Sequence, residues 1–159
     1  MSADRDRPNV SRREIGVLLL SDARLPRDLA EELLEALPPP FGASASRLGA
    51  LPRDPRAFWD EHRRQVDAQA LLESIPTAPN ASPHVTLALC ADDLFVSVMS
   101  YVFGLSQLGS HRCLLSVARL GEGVDEARRR RRVIVEATHE LGHGLGLTHC
   151  PVAHCAMHR

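Results

Sequence analysis

Residues 139–149 read HELGHGLGLTH, and this stretch decides the fold. His139 and His143 are four residues apart, so on a helix they share one face and both imidazoles can point at one metal ion. Glu140 follows the first histidine, within reach of a water beside that metal. Gly146 comes three residues after His143, and His149 three after Gly146, which completes the pattern H-E-x-x-H-x-x-G-x-x-H. For a third imidazole to reach the same ion, the helix must stop and the chain must reverse. Glycine takes the left-handed conformation of such a turn without steric penalty. Three imidazoles leave one tetrahedral position open, as catalytic zinc sites require.

That ligand set implies a chemistry. Zinc lowers the pKa of a water to roughly 7 and stabilises an oxyanion. Glu140 is the candidate general base, taking the proton and passing it to the leaving amine. The expected reaction is hydrolysis of a peptide or amide bond, with His139, His143 and His149 as zinc ligands. Tyr101 is the only tyrosine, and nothing in the sequence places it at the metal, so no second oxyanion stabiliser is assigned.

Upstream of the motif, the pattern predicts a helix from about Asp125 to Gly144, entered through the turn GEGVDE. Before it lie three strand-like segments: 84–90 (HVTLALC), 97–105 (SVMSYVFGL) and 113–120 (CLLSVARL). Leu29, Leu33, Leu34 and Leu37 recur at helical spacing and end at Pro38-Pro39-Pro40. The six apolar residues 15–20 fit a buried strand, and residues 41–57 hold at most one irregular strand. Residues 63–75 (RRQVDAQALLESI) read as a helix with Val66, Ala70, Leu71 and Ile75 on one face. TAPNASP, 77–83, reads as a loop. The order β-α-β-α-β-β-β-α predicts an α/β fold of three layers around a mixed sheet.

Composition narrows the function. A chain of 159 residues with 44% hydrophobic and 25% charged residues fits one globular domain. Residues 1–13 read as a mobile polar tail, and 14–159 as a single domain. A formal net charge of −1 gives no overall attraction to nucleic acid or anionic membrane. All 19 basic residues are Arg. Five of them form the run Arg128–Arg132. That run reads either as an anion-binding patch or as a solvated helix turn offset by Asp125 and Glu126, and the near-zero net charge favours the second. No apolar run is long enough for a signal peptide or a membrane span, so the expected location is the cytoplasm. The four cysteines are then thiols or metal ligands before they are disulfides. Cys90 and Cys113 lie in apolar strand-like runs and read as buried, inert thiols. His62, His84 and His111 sit in no motif.

The residues after His149 sharpen the reading. Cys150 follows directly, then Cys155, Ala156 and Met157. This H-C-x-x-x-x-C-x-M run resembles the archaemetzincins, a family of metzincin zinc metallopeptidases. Upstream, QVDAQALLESI, ADDLFV and SYVFGLSQLGSHRCLLSVARL are also similar to segments of that family, so the likeness spans about residues 64–157. It implies a metzincin-like (zincin) three-layer fold, with an antiparallel edge strand over Ser97–Leu105 that pairs with an extended peptide. Met157 would form an apolar floor beneath the three imidazoles. Peptide substrates follow, with aminopeptidase-like action on small peptides among the family's activities. The resemblance also implies a second, structural zinc held by Cys150 and Cys155 with a distal C-x-x-C. This sequence ends at Arg159 without that pair, so the domain is expected to lack the family's usual C-terminal extension. His154 and His158 are the nearest replacement ligands. The alternative function is a non-catalytic zinc-binding protein.

Overall fold

The computed structural model describes residues 16–76 and 84–158. The tail expected over 1–13 and the loop expected over 77–83 lie outside the described residues. The side chain of His84 also lies outside that description.

The apolar run predicted to start the fold forms β1 (Gly16–Ser21). It lies inside a sheet, pairing in parallel with β2 (Ser44–Ala50) on one side and with a strand over His84–Cys90 on the other. Between β1 and β2 run α1 (Arg27–Ala36) and a single helical turn, α2 (Pro38–Phe41). The triple proline thus ends α1 but opens another turn, since the first turn of a helix needs no backbone N–H. Next come β3 (Trp59–Asp60), β4 (Gln65–Asp67) and α3 (Ala68–Ser74). The helix expected over 63–75 is therefore shorter at its start. The Asp67 carboxylate accepts the N–H groups of Gln69 and Ala70, and an N-cap residue and those before it are extended.

The central strand β5 (His84–Cys90) agrees with its sequence reading. After it, β6 (Leu94–Val96), β7 (Met99–Val102), β8 (Gly104–Ser106), β9 (Arg112–Ser116) and α4 (Glu126–Gly144) complete the chain of elements. The main sheet has the order β2-β1-β5-β9-β8, with β8 alone antiparallel at the edge. A second sheet, β3-β4-β6-β7, was not foreseen. The segment 97–105 divides between the two sheets: β7 pairs with β6, and β8 pairs with β9. The strand expected over 113–120 is shorter, ending at Ser116.

Alternation along the strands builds two cores. Val85, Leu87 and Leu89 face one way with Val17, Leu19 and Leu115, and meet Leu29 and Leu33 of α1 and Val133, Ala137 and Leu141 of α4. Ala88, Cys90, Leu20 and Leu114 face the other way and meet Val66, Leu71, Leu72 and Ile75. The three layers are helices, sheet, and α3 with the small sheet. Phe58 and Trp59 pack at the edge of the second core. Each fully buried leucine contributes about 1.5–3 kcal/mol relative to an exposed one.

Ion pairs fasten the strand ends. Arg24 bridges Asp22, just past β1, and Asp92, just past β5. Arg119 and Gln65 both donate to Asp93. Burial alone would raise the carboxyls of Asp22 and Asp93, but these hydrogen bonds outweigh it and both lie below their ordinary value. Among the described residues, no helix is long and apolar enough to cross a membrane.

Candidate active site

α4 is capped by Asp125, whose carboxylate accepts the Arg128 N–H, and runs for 19 residues from Glu126 to Gly144. Its end sets the geometry of the site. Gly146 has φ +94°, the Gly146 N–H donates to His143 O at 2.9 Å, and the Leu147 N–H donates to Gly142 O at 2.8 Å. These two bonds are those of a Schellman cap, in which glycine in a left-handed conformation reverses the chain. The turn read from Gly146 is therefore present, and it returns His149 to the helix. The ligating atoms of His139, His143 and His149 all lie within 4.8 Å of one another.

The donor chemistry fits a zinc ion. His139 Nδ1–H donates to Ala156 O, and His143 Nδ1–H donates to Leu147 O, both at 2.8 Å. A carbonyl oxygen only accepts, so both rings carry a proton on Nδ1. In the neutral rings both Nε2 atoms are then lone-pair donors, and they face each other at 3.0 Å. Two such lone pairs repel unless a cation or a shared proton lies between them. Ligands 2.0–2.1 Å from a tetrahedral zinc sit about 3.3 Å apart, close to the observed spacing. Backbone carbonyls on the far ring nitrogens also set the tautomer that a metal needs.

The last residues fold under the helix. Cys150 N–H donates to Met157 O, and Cys150 forms an isolated bridge with His158. Met157 is buried and packs against Gly142, where an added Cβ would collide with its sulfur and lie 2.9 Å from its methyl carbon. Glycine at 142 thus lets the methionine approach the helix between His139 and His143. Cys150 and Cys155 are free and partly exposed. Among the described residues, they do not gather with two further donors. Among the described residues, one other group is of metal-ligand type, Asp22, Cys90 and Asp92, whose carboxylates are already bound by Arg24.

Glu140 points from α4 toward the edge strand. It is 6% exposed, and Ser106 of β8 donates to its Oε2 at 2.7 Å. A Cβ on Gly104 would come within 2.6 Å of the Glu140 carboxyl, so the absence of a side chain there makes room for it. Burial pushes the Glu140 carboxyl up to about 7, although Ser106 and His139 act in the opposite direction. A carboxyl held at this position can both take and return a proton. Sequence reasoning missed Ser106 and Gly104. Both lie in the segment 100–120 that the family likeness covers, but the likeness assigned them no role, and Ser106 reaches Glu140 across 34 residues. Cys113, directly beneath, donates to Glu140 O. Burial pushes the Cys113 and Cys90 thiols up to about 12, so both are inert, as their apolar runs implied. Tyr101 stacks edge-on to Phe103 with Arg119 over its ring. It lies in the groove beside the site, among residues that do not include the three histidines.

Comparison with known proteins agrees with this geometry. The sequence profile described as Peptidase family M54 matches residues 57–159. The archaemetzincin of Archaeoglobus fulgidus is 37% identical over 120 residues, covering 76% of this chain and 71% of its own. That of Halobacterium salinarum is 37% identical over 111 residues, covering 65% of this chain and 63% of its own. The crystal structure of archaemetzincin from Methanopyrus kandleri superposes with a TM-score of 0.79 at 27% identity, covering 94% of this chain and 83% of that one. The chain belongs to peptidase family M54, the archaemetzincin family of zinc metallopeptidases.

Proposed function

We propose that this chain hydrolyses peptide bonds, with zinc held by His139, His143 and His149 and with Glu140 as the general base. The observation that carries the reading is the convergence of three imidazoles, two with Nδ1 committed to backbone carbonyls, beside a buried carboxylate held by Ser106. When bound, zinc supplies Lewis acidity toward a water and a substrate carbonyl. The residues of this chain do the rest. Glu140 Oε1 or Oε2 takes a proton from the attacking water and delivers it to the departing amine nitrogen. Ser106 holds the carboxylate toward the edge strand. β8 ends its sheet, so its outer backbone groups can pair with an extended substrate by strand addition. Such pairing selects for backbone more than for side chains, which fits action on small peptides.

The test is Glu140→Gln. The amide cannot act as a base, so turnover of a peptide library should fall by about 10²–10⁴ while stoichiometric zinc is retained. Unchanged turnover removes Glu140 as the base. Protein that binds zinc and cleaves no library peptide supports the non-catalytic alternative. Paired substrates with free and acetylated amino termini separate aminopeptidase from endopeptidase action.

A further inference from the structure

The run Arg128–Arg132 has a use that the catalytic site does not absorb. On α4 its members point in different directions. Arg130 is held by Glu126, Asp28 and Glu32, and Arg129 pairs with Glu126. Arg132 donates to the carbonyls of Leu120 and Glu122. Arg128 and Arg131 are exposed, and among the described residues their side chains form no hydrogen bond or ion pair. Both line a groove of about 1050 Å³ that also includes Tyr101, Phe103, Val135 and Glu136.

Helical spacing leads from that groove toward the histidine site. Residues 128, 132, 135 and 139 recur at helical spacing, so they form one stripe of α4 that leads to His139, with Arg131 on its flank. Phe103 directly precedes Gly104, against which Glu140 lies. Among these charged residues two apolar side chains stay open to solvent: Val135 is 44% and Tyr101 38% exposed. Acidic residues Glu122, Asp125 and Glu136 also line the groove. Asp125 is engaged at the N-cap, and Glu136 lies at the His139 end, away from Arg128 and Arg131. Asp125 keeps its charge there and Glu122 stands in the same lining, but four arginines outnumber the three carboxylates, and of those four only Arg128 and Arg131 make no side-chain hydrogen bond among the described residues.

We propose that this groove is a substrate subsite that takes a carboxylate of the bound peptide, held by Arg128 and Arg131, with apolar contact to Tyr101, Phe103 and Val135. The proposal rests on the peptidase reading above. The distance defines the register. Arg131 lies eight residues before His139, about 12 Å along the helix axis. An extended peptide advances about 3.3 Å per residue, so the carboxylate belongs about four residues from the scissile bond. Its source is either an acidic side chain or the peptide's own carboxyl terminus.

Peptides carrying a hydroxamate at either end provide a direct binding test, because the hydroxamate anchors one end at the metal. The series with the hydroxamate at the amino end has one to five alanines and ends in a carboxylate or an amide, and the series with it at the carboxyl end begins with a succinyl group as the free carboxylate or its amide. A parallel series places an internal Glu in an amidated chain. Binding to the zinc-loaded protein is measured by calorimetry. At the length that spans the groove, the carboxylate form is expected to bind about tenfold tighter than the amide, with the advantage shrinking in high salt. Arg128→Gln/Arg131→Gln should erase that ratio and leave the amide affinity unchanged. The internal Glu series shows whether a side chain, a terminus or both are accepted. Equal affinities at every length, or a ratio that survives in the double variant, overturn the subsite. Failure of every hydroxamate to bind, amides included, overturns the metal-site reading and the subsite with it.

Discussion

Gly142→Ala tests whether Met157 supports the histidine site, because the added methyl group is directed at the methionine. The new Cβ would collide with the Met157 sulfur and lie 2.9 Å from its methyl carbon, whereas carbon contacts settle at about 3.5–4.0 Å. Overpacking of this kind costs about 1–3 kcal/mol. Replacing a helical glycine with alanine returns about 0.5–1 kcal/mol. The net destabilisation should be about 0–2.5 kcal/mol. The larger effect falls on the metal, because Ala156, next to Met157, accepts the His139 Nδ1–H. A displaced methionine moves that carbonyl, and loss of such a partner weakens metal binding by about 10–100-fold. Met157→Ala alone should destabilise the protein by about 2–5 kcal/mol, since Met157 is 8% exposed. In the double variant the methyl group introduced at position 142 fills part of the void left by the methionine. Its destabilisation should be smaller than the sum of the singles by about 1–3 kcal/mol. Urea unfolding of the metal-free proteins by circular dichroism gives the stabilities, and chelator competition gives the zinc affinities. Additive stabilities together with an unchanged zinc affinity in Gly142→Ala would refute the reasoning.

Other expectations follow from the same contacts. Ser106→Ala removes the donor to Glu140 and should lower kcat by about tenfold with zinc content unchanged, measured on the best library peptide. Gly104→Ala places a Cβ 2.6 Å from the Glu140 carboxyl and should reduce kcat further than Ser106→Ala does, in a protein that still folds by circular dichroism. Removing zinc with a chelator should lower the thermal midpoint, and adding zinc back at 100 times its Kd should return about 2.7 kcal/mol. In acid, Asp22 and Asp93 matter. Their pKa values lie below the ordinary 3.8, so the stability they contribute is complete well above pH 3.8 and is lost as pH falls through the lower folded-state value. The urea midpoint of the metal-free protein should decline below about pH 5, and Arg119→Gln should make that decline shallower. An equal slope in the variant would exclude the Asp93–Arg119 pair as a source.

Most of the candidate site was legible because its parts are local. The spacing of His139 and His143 is a property of any α-helix, and Gly146 announces a left-handed cap that needs no distant partner. Glu140 and His149 follow from the same eleven residues. Strand β5 and helix α4 were readable for a similar reason: a seven-residue segment dominated by β-branched and aliphatic residues, and a long segment between a capping aspartate and a glycine turn. The misread segments are those where a neighbour decides the conformation. Residues 65–67 have helical spacing, yet Val66 pairs with Trp59 and Leu94, and Asp67 starts the helix only after them. Residues 97–105 read as one strand, but their pairing partners lie in two different sheets.

The sequence by itself therefore determined the cluster of three imidazoles, the glutamate beside them, the turn that joins them and the family these residues resemble. All of these depend on backbone periodicity and on the conformational freedom of a single glycine. The tertiary structure decided what surrounds them. Ser106 meets Glu140, Met157 meets Gly142, and Tyr101 and Phe103 share a groove with Arg128 and Arg131, because sheet register and layer packing bring distant segments together. Those contacts reflect the way two cores close around one sheet, and no spacing within the motif encodes them.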